Sequence, residues 1–442
     1  MAAAKVDERF SLARTVNNRQ LNFSLSRRNL GQMGRRSAII VPAAVLAGSA
    51  SALFLWGLDL VTRTRWTHPW LVYLLPLGGA AIALLYRLWG GGAEKGNNLI
   101  LEEIHEPGAG VPARMAPLVL VGTWVTHLLG GSAGREGTAL QMGGSLAAGY
   151  GRMLRLKPED QRLLLLAGLA AGFGAVFGTP LTGAIFALEV TVVGQIRYDA
   201  LLPVLIASLV GDATCSAWGI HHTVYHVAVG EAGRGWVLPS LRRVAATAAS
   251  GVLFGLVAKT FADSVHLVHR KLERWIPFEP WRPVAGGIAV ILLVWAVGTR
   301  DYLGIGIVSP HEAGISILAA FQPGSIGWAS WVWKLVFTAI TLGAGFKGGE
   351  VTPLFFIGAT LGHSLAGLFG VPVDLWAAMG FVAVFAGAAN TPLACTVMGA
   401  ELFGAAYLPY FAAACFLAYH FSGHGGIYRS QRIAVPKLPG EA

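Results

Sequence analysis

The sequence predicts an all-α, polytopic membrane protein, an inverted repeat of tilted and broken helices, and three observations carry that reading. Of the 442 residues, 54% are hydrophobic and 13% charged, and the mean hydropathy is +0.58, which excludes an ordinary soluble globular domain. Uncharged runs long enough to enter a bilayer recur along the chain, and none alternates with the period of a barrel strand. The two halves also carry the same series of interruptions at corresponding positions.

In chain order, Met1–Arg36 holds eight basic residues against Asp7 and Glu8, so this arm is expected on the cytoplasmic side. The first membrane helix is expected at Ser37–Leu58, a run longer than the apolar core of a signal peptide. Uncharged runs follow at His68–Tyr86, Met115–Gly134, Leu163–Leu188, Pro283–Thr299, Ala313–Trp333, Val351–Val373, Leu375–Ala400 and Leu402–Tyr428. Shorter ones lie at Ala200–Gly211 and Val244–Ala258, and all read as helix. Gly-Gly and Thr-Pro steps interrupt several of them, so bent and half-length helices are expected in place of a ladder of simple spans. Trp66, Trp70, Trp275, Trp281, Trp328 and Trp331 read as interfacial anchors.

The repeat is the most informative pattern. REGT at Arg135–Thr138 precedes FGTPLTGAIFALE at Phe177–Glu189, and GEVTP at Gly349–Pro353 precedes ANTPLACTVMGAE at Ala389–Glu401. Glu136 and Pro180 are 44 positions apart and Glu350 and Pro392 are 42 apart, with a glutamate nine positions after each proline. This divides the chain into an arm (1–36), a first half-repeat with its preceding helices (37–217), an inverted second half (218–432) and a short tail (433–442). Paired broken segments of this kind place a transported substrate near the midplane, where the helix ends converge.

Arg135 and Glu136 stand between uncharged segments, and a carboxylate at such depth is costly and usually functional. Gly131–Gly134 before Arg135 and Gly345–Gly349 before Glu350 can present backbone N–H groups at helix starts, which attract anions. Gly96-Asn97-Asn98 is a third such place, where an asparagine is expected to cap a helix. The net charge of +10 sits mainly in the arm and short loops, not in a nucleic-acid-binding patch. No metal motif, nucleotide loop or nucleophile elbow is present, so neither an enzyme nor a cofactor is expected. Cys215, Cys395 and Cys415 read as packing residues, as do His105, His127, His363, His420 and His424. Glu189 and Glu401 are expected to satisfy helix N–H groups, and Arg135 to hold loop carbonyls or a neighbouring carboxylate.

At these residues the chain resembles the CLC family of anion channels and anion/proton antiporters, over Ser37–Arg432. GREG at Gly134–Gly137 is similar to the family's second signature. GEVTP stands where the third usually reads GxFxP, and Gly96-Asn97-Asn98 replaces the first, GSGIP. Glu189 aligns with the first of two glutamates in the chloride/proton antiporters, and their second, a proton-transfer group, is here Val190. These departures, with GNNLILEEIH and GFKGGEVTP, resemble the bacterial fluoride/proton antiporter branch. The resemblance implies fluoride export across the inner membrane by a homodimer in exchange for protons, chloride being carried more weakly; a chloride/proton antiporter or a passive channel is the alternative. It makes Glu136 the gating, proton-carrying glutamate and Glu350 a central group for proton transfer or anion coupling. Asn97, Gly134, Thr352 and Tyr428 become the anion-binding residues, Tyr428 near the start of a last helix. Fluoride holds water tightly and needs several close donors to replace it, which amides, hydroxyls and helix-start N–H groups provide.

Overall fold

The structure, a computed structural model, describes residues 27–108, 110–228, 240–324 and 326–437. Most of the basic arm, residues 1–26, lies outside the described residues. The chain divides into two compact units, Met1–Ile39 and Ile40–Ala442. Fifteen α-helices are present among the described residues, and the β-strands there are confined to one short parallel pair. Among the described residues six helices are long and apolar enough to cross a membrane, while seven apolar ones span only 10–17 residues, a mixture of full and partial helices in keeping with the glycine and proline breaks.

Helix α1, Arg27–Thr67, is longer than the expected Ser37–Leu58 at both ends. An uncharged run marks only the apolar part of a helix; beyond it Asp59 and Arg63 pair one turn apart at 2.8 Å and the helix continues. Helices α2 (Leu75–Trp89), α3 (Asn97–His105) and α4 (Met115–Leu128) follow. The first half then runs through α5 (Glu136–Met153), α6 (Pro158–Phe177), α7 (Pro180–Glu189) and α8 (Leu201–Ala217). The run Leu163–Leu188 is broken between α6 and α7 because Gly178 turns left-handed (φ +70°) and Pro180 has no N–H to continue the ladder.

The second half contains α9 (Leu241–Trp275), α10 (Trp281–Val297), α11 (Ser330–Gly343), α12 (Val351–Phe369), α13 (Val373–Ala389), α14 (Pro392–Phe403) and α15 (Leu408–Phe421). Three expectations need correction here. Val244–Ala258 is the middle of a 35-residue helix that runs on through Lys259 and Asp263. Ala313–Trp333 is mostly irregular: Ile317 N donates to Gly306 O at 2.9 Å, only a short 3-10 turn forms at Ala319–Phe321, and an α-helix begins at Ser330. The third is the segment after α15, where no last helix begins at Tyr428; Gly423, Gly425 and Gly426 lead to a turn and then to Arg432–Ile433, paired with Val192–Val193.

Small residues set the same contact in each half. A Cβ on Gly143 of α5 would stand 2.2 Å from the carbonyl oxygen of Gly168 in α6, and one on Gly358 of α12 would stand 2.0 Å from that of Gly380 in α13. Only glycine permits backbones to approach so closely, which is how helices associate tightly where lipid removes the hydrophobic drive. The two halves also cap one another. Glu189, ending α7, accepts from Leu393 N at 3.0 Å and Ala394 N at 2.7 Å at the start of α14. Glu401, in α14, accepts from Leu181 N at 3.0 Å, Thr182 N at 2.8 Å and Thr182 Oγ1 at 2.6 Å at the start of α7. Each carboxylate thus serves the positive end of the opposite helix. Glu401→Ala is expected to destabilise the folded protein by about 2–4 kcal/mol, from the loss of charge-assisted bonds, while leaving the flux per folded molecule intact. Thermal unfolding in detergent, read beside liposome flux, checks this; an unshifted melting point would deny the capping role.

Candidate functional site

The two glycine-rich turns that precede α5 and α12 meet. Gly134 N donates to Gly349 O at 2.6 Å and Gly349 N to Gly134 O at 2.8 Å, a two-bond antiparallel bridge. This brings the starts of α5 and α12 together, and with them Glu136 and Glu350. No side chain fits between the strands: a Cβ on Gly349 would stand 2.7 Å from Gly137 N, and Gly348 adopts φ +155°.

Glu136 is wholly buried, and its carboxylate reaches across to the other half-repeat. It accepts from Thr352 N at 3.0 Å, while the Thr352 hydroxyl lies 2.5 and 2.6 Å from its two oxygens. Arg135 supplies its own N–H at 3.1 Å and its Nε at 3.3 Å, with the guanidinium as the paired charge. A negative group on a helix N-terminus, held by an amide, a hydroxyl and a cation, has the environment an external anion would need. Protonating Glu136 would remove the charge these donors satisfy and make them available to another anion. The cavity beside it, between Arg135, His222, Thr352 and Phe355, is ≈ 10 Å³, room for about one water. In this conformation the carboxylate and its ring of side chains close the site on that side.

Glu350 is partly buried at the N-cap position of α12, yet its side chain makes no capping bond to that helix. Its Oε2 lies 3.7 Å from where a Cβ on Gly137 would stand, and the Asn97 amide nitrogen lies 3.3 Å from the same point. Glu350 and Asn97 therefore converge on the first turn of α5. Asn97 Oδ1 is buried without a hydrogen-bond partner among the described residues. Asn97 is the first residue of α3 and not its cap; Gly96 takes that position at φ +59°. Tyr428 is 4% exposed, and its hydroxyl has no partner among the described residues.

Gly134 departs from expectation: its N–H is committed to Gly349 and its carbonyl receives Gly349 N and His127 Nε2, so it shapes the turn and has no donor left for an anion. The rest of its loop is similarly engaged, Gly131 N with Thr126 O at 2.8 Å and Ser132 N with Thr341 Oγ1 at 3.1 Å. Motif reading missed the residues that position Tyr428. Asn98 Oδ1 accepts from Ser430 N at 3.2 Å, and Gln431 Nε2 donates to Val190 O at 2.9 Å and Ala389 O at 2.8 Å, tying the segment to both halves. Their only signal was polarity beside glycine in GNN and GGIYRSQR. His222, against the Glu136 cavity, had no signal at all.

The Voltage gated chloride channel family matches residues 78–423. The chain belongs to the CLC family. Among its CLC relatives, a Chloride/fluoride channel protein of Pseudomonas syringae pv. tomato is 51% identical over 399 residues, covering 89% of this chain and 85% of the relative. A Voltage-gated ClC-type chloride channel ClcB of Salmonella typhimurium is 26% identical over 441 residues, covering 90% and 99%. The solved structure of a CLC-type fluoride/proton antiporter superposes with a TM-score of 0.85 at 35% identity, over 91% of this chain and 98% of that one. A slow cyanobacterial Cl-/H+ antiporter gives 0.71 at 20% identity over 89% and 96%, a likeness of fold. The CLC fold is thus present, with Thr352 at the start of α12 holding Glu136 at the start of α5.

Proposed function

We propose that this CLC protein exports fluoride across the bacterial inner membrane in exchange for protons, as a homodimer with one pathway in each subunit. One observation carries the reading: the Glu136 carboxylate is bound by the amide and hydroxyl of Thr352 at the start of α12. An ionised Glu136 and an external anion compete for those donors, so a proton on Glu136 favours anion entry and anion departure favours proton loss. Such mutual exclusion is what distinguishes an exchanger from an open pore. The small, strongly hydrogen-bonding fluoride ion suits donors this close, and the likeness to proteins described as a fluoride/proton antiporter and a Chloride/fluoride channel protein supports the choice. Asn97, Thr352 and Tyr428 are the side chains assigned to the anion, with Glu350 beside them. Homodimer contacts are assigned to the starts of α7 and α14, where Leu181 and Leu393 are exposed on otherwise packed helices.

Purified protein in liposomes loaded in turn with fluoride and chloride provides the test. Fluoride release is expected to exceed chloride release by about 100-fold, a difference of roughly 2.7 kcal/mol, and to drive protons the opposite way. Equal release of the two anions would point to a chloride/proton antiporter, and fluoride release without proton movement to a passive channel.

A further inference from the structure

A cavity of ≈ 570 Å³ lies between the end of α1, the end of α10 and the loop that follows α10. Arg65, Trp66, Trp295, Arg300, Asp301 and His311 line it. Arg65 is only 8% exposed, and its Nε has no hydrogen-bond partner among the described residues. Its guanidinium lies along Gly304, where a Cβ would stand 2.6 Å from Nη2. Arg300 lines the same cavity.

Two guanidinium groups line this cavity against a single carboxylate, that of Asp301. Asp301, the carboxylate on its wall, is occupied with Thr299 Oγ1 at 3.0 Å, Ser309 Oγ at 3.3 Å and Ile315 N at 3.1 Å. Behind the cavity the Lys334 amine donates to the carbonyls of Tyr302 at 3.1 Å and Gly304 at 2.8 Å and is not directed into it. A buried guanidinium with an unpartnered Nε, in a cavity that holds two cations and one engaged carboxylate, is costly, and an anion would relieve that cost.

We propose that this cavity binds a phosphate group, held by Arg65 and Arg300. The space is far larger than a monatomic ion needs and within the usual range for small-molecule sites. Forked guanidinium donors match the several oxygens of a phosphate better than a single halide. His311 adds a donor at the wall, and Trp66 and Trp295, with Trp295 69% exposed, form an aromatic rim at the ends of two apolar helices. Charge at the base and aromatic rings at the rim suit a phosphate on an apolar body, such as a lipid headgroup, and the same base accepts free phosphate.

The test is native mass spectrometry of the full chain in detergent after delipidation, titrated separately with short-chain phosphatidylglycerol, with inorganic phosphate and with a phosphate-free galactolipid. One phosphatidylglycerol or one phosphate per chain is expected, with retention about tenfold weaker or more in Arg65→Gln and Arg300→Gln and no such difference for the galactolipid. Binding of the lipid alone identifies a headgroup as the source, and binding of both identifies the phosphate itself. Arg300 is exposed, so Arg300→Gln reports even where Arg65→Gln fails to fold. Absence of retention in both phosphate arms, or retention unchanged in Arg300→Gln, would overturn the site.

Discussion

Glu136→Gln is expected to abolish proton coupling while anion movement continues. The amide keeps the size of the carboxylate and can still accept from Thr352 N, so the start of α12 retains a partner. What it loses is the acidic proton and the negative charge that, in the proposed exchange, competes with an external anion. Proton flux driven by a fluoride gradient should fall about 100-fold or more, the scale on which a positioned acid–base group contributes. Passive fluoride flux should then no longer depend on pH. The measurement is a liposome assay with a fluoride electrode and an internal pH dye, on protein shown by gel filtration to be folded. A variant that still moves protons against a gradient would remove Glu136 from the mechanism.

Glu350→Gln is expected to slow coupled exchange severely, by about tenfold to 100-fold, with folding and assembly preserved. A carboxylate that merely capped α12 would bond to N–H groups of that helix's first turn, and the Glu350 side chain makes no such bond. It points instead toward the first turn of α5, close to the Asn97 amide. Two ionised carboxylates and a bound anion in one low-dielectric region would repel strongly, so Glu350 must be neutral or displaced whenever the anion is present. Protonated, it would donate one hydrogen bond, and residue 190, next to Glu189, is a valine with no acid to offer. Glu350→Ala should also lose the donor and weaken fluoride binding, which fluoride titration calorimetry would register. Wild-type exchange by a folded Glu350→Gln protein would return this residue to a purely local role.

Composition and run lengths were enough to establish a helical membrane protein, because the bilayer demands the same apolar length and the same internal backbone pairing of every spanning segment. The CLC family was legible too, since REGT, GEVTP and the two Thr-Pro breaks are local words whose spacing survives without a structure. Charge at a break in an apolar run singled out Glu136 and Glu350, and the repeat put them in corresponding places. Helix ends were less legible: α1 and α9 continue past their uncharged cores, and Ala313–Trp333 is as apolar as a helix while its backbone pairs elsewhere. Apolar content reports where a segment lies; hydrogen-bond partners decide its conformation.

What only the tertiary structure decided is which groups meet. Gly134 is bonded to Gly349 and Thr352 to Glu136 across separations of more than two hundred positions, and Glu189 and Glu401 each serve the other half's helix. Asn98, Ser430 and Gln431 became visible only when α3 and the segment after α15 were side by side. The residue pattern by itself determined the membrane, the repeat and the two carboxylates. The pairing of donor with acceptor was left to the fold, because hydrogen bonds act over about 3 Å in space and carry no record of separation along the chain.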